Sequence, residues 1–291
     1  MEFAHLAQRM FNTPIAIHPR KAEIAMAALA DRLGITHLMR GDGRPVPMAF
    51  DDDEEFVSSR QSRQTDLGYD VVAGTAIIPI AGTLVQKQSS LRPYSGMTGY
   101  NGIRQAFLTA RADSAVSRIA LDISSGGGEV AGCFDLVDTI HEARGDKPIA
   151  AILTESAYSA AYAIASAADT IYVPRTGGTG SIGVICMHVD LSEALTKAGL
   201  KVTFITNTGA DRKTDGHSEI PLSKEALAAF QHEIDTMGAL FHDTVARNRG
   251  IATSAVRDMR AGTFMGADGV TAGLADAVMA PDAAFAAFLA A

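Results

Sequence analysis

The pattern of hydrophobic and polar positions changes near Val71, where short hydrophobic runs begin to alternate with segments of helical periodicity. The short runs are typical of buried strands, and apolar positions repeating every three or four residues are typical of amphipathic helices. The pattern predicts strands at residues 75–80, 118–123, 149–153, 170–173, 184–189 and 202–206. It predicts helices at residues 102–112, 130–143, 159–167 and 191–198. Such alternation predicts an α/β fold built from βαβ units, with a largely parallel sheet.

A longer amphipathic helix is predicted from Lys224 to about residue 248. Ser223 is its expected N-cap, Leu222 and Leu227 can form a hydrophobic staple, and Gly250 is expected to end it. Its apolar face carries Leu227, Phe230, Ile234, Met237, Phe241 and Val245.

Residues 1–66 differ from the rest of the chain in composition and in the pattern of hydrophobic positions. Pro19 can open a helix that Gly34 would end. A stretch rich in glycine and proline follows at residues 41–47, and then an acidic run at residues 51–55. Such composition is more typical of a linker than of a functional acidic motif. We therefore predict an N-terminal helical segment and linker at residues 1–66, and one folded domain at residues 67–291.

Composition excludes several classes of function. A formal net charge of −8 argues against a nucleic-acid-binding surface. The two cysteines, Cys133 and Cys186, are too few for a disulfide framework, and the eight histidines are scattered rather than spaced as zinc ligands. No secretory signal and no membrane-spanning stretch can be drawn. We expect a soluble cytoplasmic protein that needs no metal or other cofactor.

Glycines follow the strand predicted at residues 118–123, in the segment Ser124-Ser-Gly-Gly-Gly128. Consecutive glycines leave backbone N–H groups open to a ligand oxygen, although a tight turn would use the same residues. The P-loop pattern of nucleotide-binding proteins is absent, so the segment does not predict a nucleotide site.

A serine, Ser159, stands where the next predicted strand gives way to a helix of small residues. The N–H of Ala160 would be available there to bind an oxyanion. Taken alone, Ser159 is better interpreted as an ordinary N-cap, and Ser156 could serve as one equally well.

A lysine, Lys213, lies in a polar loop beyond the segment Gly177-Gly-Thr-Gly-Ser-Ile-Gly183. A lysine acts as a general base only when neutral, which requires its removal from water. The loop by itself predicts a solvated lysine.

In combination these segments resemble the signal peptide peptidase A (protease IV) family of serine peptidases, over residues 77–278. The shared marks are a strand followed by the glycine segment, the small residues around Ser159, the Thr-Gly-Ser-Ile-Gly-Val block, and a Gly-x-x-Lys-type loop at residues 209–213. A C-terminal signature adds Gly266, Gly273, Leu274 and Asp276. The resemblance implies a Clp/crotonase-like fold with repeated β-β-α units.

The resemblance also implies a Ser-Lys dyad, with Ser159 as nucleophile and Lys213 as base. Ser181 would hydrogen-bond the lysine amine, and the N–H groups of Gly126 or Gly127, with that of Ala160, would bind the oxyanion.

Two positions depart from the family pattern. Ser125 replaces a proline, which we expect to loosen the glycine segment and to leave the choice of oxyanion glycine open. The lysine loop is one residue longer than usual, so Arg212 competes for the register. Arginine cannot lose its proton in a protein, which favours Lys213.

Within the family the chain resembles the phage branch, the minor capsid protein C-type proteases that process scaffold and capsid proteins in the prohead. That likeness implies a polypeptide substrate, a site of action in the host cytoplasm or prohead, and a homo-oligomer with the long helix in its interface. Three alternatives stay open: His188 as the base, a crotonase-type acyl-CoA enzyme, and an inactive structural phage protein.

Overall fold

The computed structural model describes residues 14–18, 67–88 and 96–291. Its strands are β1 Ile15–Ile17, β2 Asp70–Val72, β3 Thr75–Val85, β4 Met97–Gly99, β5 Arg118–Glu129, β6 Ile149–Ala157, β7 Thr170–Val173, β8 Gly178–Gly180, β9 Thr263–Met265 and β10 Ala277–Val278. Its helices are α1 Tyr100–Ala112, α2 Cys133–Glu142, α3 Ala160–Ser166, α4 Ser192–Lys197, α5 Lys224–Arg249, α6 Thr253–Asp258, α7 Ala267–Thr271 and α8 Pro281–Ala290. A short 3₁₀ turn covers Asp211–Thr214.

The central sheet runs in the order β10-β7-β6-β5-β3-β2, and every neighbouring pair except β2–β3 is parallel. β4 extends the sheet beside β3, whereas β1 pairs antiparallel with the end of β5. β8 and β9 form a separate antiparallel pair. The predicted α/β fold with a largely parallel sheet is therefore confirmed.

Side chains that alternate along the central strands pack against helices on both faces. On β5, Ile119, Leu121 and Ile123 are buried in the main core with residues of α1, α2 and α3. The intervening Ala120 packs in a smaller cluster that includes Phe288 of α8. The carboxyl ends of β5 and β6 consequently meet at one edge, beside the start of α3.

The long helix α5 follows its prediction closely. The Ser223 side chain accepts a hydrogen bond from the N–H of Ala226 at 3.0 Å, and Gly250 adopts a left-handed conformation at the other end. The second half of the helix is anchored by Phe241, whose ring meets that of Phe134 edge-on at 5.4 Å. Leu227, near the start of the helix, is 56% exposed. Phe230 and Ile234, the next residues of the apolar face, are only partly buried in the described chain. Among the described residues, no helix has the length and apolarity needed to cross a membrane.

The strands predicted at residues 184–189 and 202–206 are wrong. Both segments are irregular, apart from an isolated antiparallel bridge between Ile185 and Ile15. A hydrophobic run becomes a strand only when a neighbouring strand satisfies its backbone groups; in the described chain the first segment pairs with β1 at Ile185 alone, and the second pairs with no strand. Ile205, in the second segment, is 93% exposed.

The N-terminal region was predicted to be separate from the folded domain. Residues Ile15–Ile17 instead pair with β5, so this part of residues 1–66 joins the central sheet. The predicted helix that begins at Pro19, and the linker after it, lie outside the described residues. The boundary at residue 66 therefore stays a prediction.

The C-terminal signature ties the end of the chain to the sheet. Asp276 accepts two hydrogen bonds from the Arg249 guanidinium, at 2.8 and 3.1 Å, and one from the N–H of Ile171 at 2.7 Å. Burial by itself would raise the pKa of the Asp276 carboxyl, but these hydrogen bonds and the arginine charge hold it below its ordinary value. Leu274 is fully buried. The signature is thus structural here, because its side chains join α5 to β7.

Candidate active site

Ser159 occupies a strained turn between β6 and α3. Its backbone has φ 55° and ψ −123°, a conformation that residues with a side chain rarely adopt. The turn is held by the Ser159 N–H, which donates to the Gly180 carbonyl at 2.8 Å, and by the Ser159 carbonyl, which accepts from Ala163 at 2.9 Å. Strain of this kind costs on the order of 1–3 kcal/mol and is typical of functional positions.

The hydroxyl of Ser159 does not cap the helix, so interpreting this residue as an ordinary N-cap is wrong. Its side chain accepts no capping hydrogen bond, and its Oγ makes only a long hydrogen bond of 3.5 Å to the Gly183 carbonyl. Ser156 is not the cap either, because its Oγ accepts from the N–H of Gly178 at 3.0 Å. The N–H of Ala160 donates no hydrogen bond to any described residue.

The glycine segment passes directly beside Ser159. A methyl group on Gly127 would lie 3.0 Å from the Ser159 Cβ and would collide with the Ala16 carbonyl oxygen. With φ of 99°, Gly127 also has a backbone conformation that disfavours any side chain. Glycine at this position is therefore required by both space and backbone conformation.

Ser125 holds this segment in place rather than loosening it, contrary to expectation. Its buried Oγ donates to the Gly82 carbonyl at 2.6 Å and accepts from the Gly127 N–H at 3.1 Å. The side chain therefore ties the glycine segment to β3. It also engages the Gly127 N–H, which distinguishes this glycine from Gly126.

Replacing Ser125 by alanine is expected to lower the free energy of unfolding by about 1–3 kcal/mol, since the buried Gly127 N–H would lose its partner. Chemical denaturation of the variant beside the unmodified chain would measure this loss. Ser117→Ala, at an exposed serine with a single 3.2 Å hydrogen bond, is the matched control and should change stability by much less. Equal losses for the two variants would contradict a specific role for Ser125.

The block at residues 179–184 wraps around the other side of Ser159. Gly180 and Gly183 supply the two carbonyls that contact it, and Ser181 lies between them. Ser181 is buried, has φ of 54°, and is held by its N–H, which donates to the Gly262 carbonyl at 2.8 Å. The structure thus gathers Ser159, Ala160, the glycine segment and the Ser181 block into one region.

Lys213 is not part of this cluster in the single chain. Its side chain is exposed on the 3₁₀ turn, and no hydrogen bond within the described residues joins its ammonium group to Ser159 or Ser181. The competing Arg212 is paired with Asp215 at 3.1 Å.

His188, the alternative base, lies in a loop instead of the predicted strand. It interacts electrostatically with Asp190, and no hydrogen bond to Ser159 is present among the described residues.

Neither cysteine offers a competing nucleophile. Complete burial raises the pKa of the Cys133 thiol to about 12, so the reactive thiolate is not populated near neutral pH. Partial burial likewise raises the pKa of Cys186.

A cleft of about 610 Å³ opens next to the glycine segment. Its lining includes residues 124–127 and, from other parts of the chain, Tyr158, Ile17 and His18. The rings of His18 and Tyr158 are in contact, with centroids 4.8 Å apart. Sequence reasoning did not find His18, because nothing in the local pattern connects residues 14–18 with a segment more than a hundred positions later.

Comparison with known proteins finds relatives among phage and bacterial proteins. The chain is 36% identical over 282 residues to the capsid assembly protease C of Escherichia phage lambda, covering 94% of this chain and 62% of that protein. It is 36% identical over 276 residues to the head-tail preconnector protein GP5 of Enterobacteria phage P21, covering 94% and 54%. Protease 4 of Haemophilus influenzae is more distant, at 25% identity over 240 residues, covering 81% and 37%.

The chain therefore spans between half and two thirds of the length of the two phage relatives. The model of Peptidase family S49 matches residues 141–289, a range that contains Ser159, Ser181 and Lys213. With a strained, buried serine beside its glycine segment and a family match over half of its length, the chain belongs to peptidase family S49.

Proposed function

We propose that this protein is a serine endopeptidase in which Ser159 is the nucleophile. The observation that carries the proposal is the strained conformation of Ser159, whose hydroxyl makes no capping hydrogen bond and lies beside the glycine segment. Membership of a peptidase family supports the same reaction class.

Gly126 and Ala160 are the proposed oxyanion donors. The Ala160 N–H is adjacent to Ser159 and has no acceptor in the described chain. The Gly127 N–H already donates to Ser125, which favours Gly126 as the second donor. Donors fixed in advance stabilise the developing negative charge without reorganisation, and losing one such donor typically costs about a hundredfold or more in kcat.

Lys213 is the proposed base, and we infer that it reaches Ser159 from a neighbouring copy of the chain. The segment that carries it exposes Ile185, Leu191, Leu200, Val202 and Ile205, and Leu227 is exposed on α5. An apolar surface of this kind favours association, and a homo-oligomer would bury it. Burial would also desolvate the lysine and favour the neutral amine that a base requires. Ser181 would then orient the amine.

A Clp/crotonase-like fold is supported by bends in the central strands. The pairing of β3 with β5 shifts between Ala81 and Thr83, and the pairing of β5 with β6 shifts between Ile123 and Ser125. Each long strand therefore divides into two parts. We interpret these parts, with the helix that follows, as the repeated β-β-α unit.

The reaction would proceed as acyl transfer. Neutral Lys213 takes the Ser159 proton, the oxygen attacks the peptide carbonyl, and the N–H groups of Gly126 and Ala160 bind the resulting oxyanion. Protonated Lys213 then donates its proton to the departing amine. A water molecule then attacks the acyl-enzyme and gives its proton to the same lysine, which passes that proton to the departing Ser159 oxygen, so that the carboxylic acid product, the serine hydroxyl and the neutral lysine are regenerated.

The likeness to a capsid assembly protease and a head-tail preconnector protein supports a role in phage head assembly. We infer that the substrate is a capsid or scaffold polypeptide, and that cleavage takes place in the bacterial host or inside the prohead.

Labelling with a fluorophosphonate tests the reaction class directly, because this reagent modifies activated serines. Mass spectrometry is expected to place the adduct on the peptide containing Ser159, and no adduct is expected in Ser159→Ala. Absence of labelling in the assembled protein, including a variant in which Ile15→Asp and Ile17→Asp displace strand β1, would support the inactive structural protein instead. Tight binding of coenzyme A without labelling would support the acyl-CoA enzyme.

A further inference from the structure

The strand β1 fills a gap between the two segments that flank Ser159. On one edge it pairs antiparallel with the glycine segment, with Ala16 opposite Gly128 and Ile17 opposite Gly127. On the other edge, Ile15 and Ile185 exchange two hydrogen bonds of 3.0 Å each. All three residues of β1 are therefore paired with the end of β5, which carries the glycine segment, and Ile15 is held on its other edge as well.

This strand passes close to the nucleophile. The Ala16 carbonyl oxygen occupies the space that a Gly127 side chain would need, and that same space is 3.0 Å from the Ser159 Cβ. Its backbone can approach so closely only because the facing residues have no side chains. The approach is thus the kind that a substrate backbone would make.

Strand β1 continues along the glycine segment as far as Gly126. The His18 N–H donates to the Gly126 carbonyl at 2.7 Å. The ladder itself ends with Ile17 opposite Gly127, and this hydrogen bond extends the contact to Gly126, the proposed oxyanion donor.

We propose that residues 14–18 are a pseudosubstrate strand, which occupies the groove for the acyl side of the substrate and keeps the peptidase inhibited until it is displaced. This inference rests on the proposed function of Ser159. The residue that follows His18 in the sequence is Pro19, whose ring nitrogen carries no hydrogen, so the strand does not present an ordinary peptide bond for cleavage.

The strand also indicates which substrates fit. Side chains alternate across a strand, so Ile15 and Ile17 share one face while Ala16 and His18 share the other. Ile15 and Ile17 are both buried and form a small cluster of their own, and Ala16 belongs to the main core. We therefore expect extended substrates with aliphatic residues at the second and fourth positions before the cleaved bond, and a small residue at the third.

Binding of a fluorescent peptide with the sequence of residues 14–18 tests the proposal without requiring catalysis. The acceptors are full-length chains carrying Ser159→Ala, either alone or with Ile15→Asp and Ile17→Asp. A tethered strand competes at an effective concentration on the order of millimolar, so releasing it is expected to tighten peptide binding about tenfold or more. Fluorescence anisotropy measures the two dissociation constants.

The matched control replaces Val71 and Val72 by aspartate in the same Ser159→Ala chain, because these are exposed valines on β2. Its affinity for the peptide should equal that of Ser159→Ala alone. Ile17→Ala is a milder variant, expected to fold even if the double aspartate variant does not, and its gain should be intermediate.

The proposal would be overturned if Ser159→Ala bound the peptide equally well with and without Ile15→Asp and Ile17→Asp. It would also be overturned if the β2 control gained as much affinity as the double aspartate variant. Neither result depends on cleavage. Failure of the serine to react with fluorophosphonate in a chain that carries Ile15→Asp and Ile17→Asp but keeps Ser159 would instead count against the proposed function alone, so the two failures are distinguishable.

Discussion

Replacing Ser159 by alanine is expected to abolish cleavage of an unfolded protein substrate, with kcat lower by at least about a thousandfold. Loss of the nucleophile removes the covalent step, and only substrate binding and the oxyanion donors remain to accelerate hydrolysis. Gel-based cleavage of unfolded casein would measure the effect, in assembled protein that also carries Ile15→Asp and Ile17→Asp so that the proposed pseudosubstrate strand is displaced. Ser117→Ala, the exposed serine control, should retain full activity. Substantial activity in Ser159→Ala would show that another residue is the nucleophile.

Ser159→Gly is expected to be as inactive as Ser159→Ala but to differ from it in the free energy of unfolding. Alanine keeps a side chain in the strained conformation, whereas glycine adopts positive φ without steric cost. The glycine variant should therefore be more stable than the alanine variant, by about 1 kcal/mol. Thermal or chemical unfolding of the two inactive variants measures the difference. A more stable alanine variant would show that the turn stores no strain.

The second large effect is expected at Lys213. Lys213→Met keeps much of the side-chain length but removes the amine, so cleavage should fall by a factor similar to that for Ser159→Ala, because members of a catalytic unit do not act independently. Lys197→Met, at an exposed lysine with only a loose ion pair to Glu193, is the matched control and should remain active. Activity in Lys213→Met would direct the search for a base to His188.

Mixing the two inactive variants tests where the lysine comes from. If Lys213 acts on a neighbouring copy, an equal mixture assembled together should contain about one quarter intact serine–lysine pairs, and cleavage should return to that level. Each variant alone should stay inactive. Failure of every mixture, despite confirmed co-assembly, would indicate that the dyad forms within one chain through movement of the segment at residues 184–222.

Sequence patterns predicted an element correctly where interactions between neighbouring residues determine its position. The strand at residues 170–173 and the helix from Lys224 matched their predicted positions, because burial periodicity, the Ser223 cap and the Gly250 stop are all encoded by neighbouring residues. The same patterns failed at residues 184–189 and 202–206. There the apolar residues are present, but the described chain offers only the single bridge from Ile185 to Ile15 and no continuous partner strand, without which a strand does not form.

The candidate site shows the same division. The sequence alone identified the residue types of the site: a serine between a strand and a helix, three glycines after a strand, and a lysine in a polar loop. The family resemblance indicated which of these residues act together. Only the tertiary structure brought the glycine segment and the Ser181 block to either side of Ser159, twisted its backbone to φ 55°, and left Lys213 exposed. Tertiary structure alone also set Ile15–Ile17 against the glycine segment. The physical reason is that backbone strain, desolvation and strand pairing depend on residues far away in the chain, whereas caps, turns and burial periodicity depend on near neighbours.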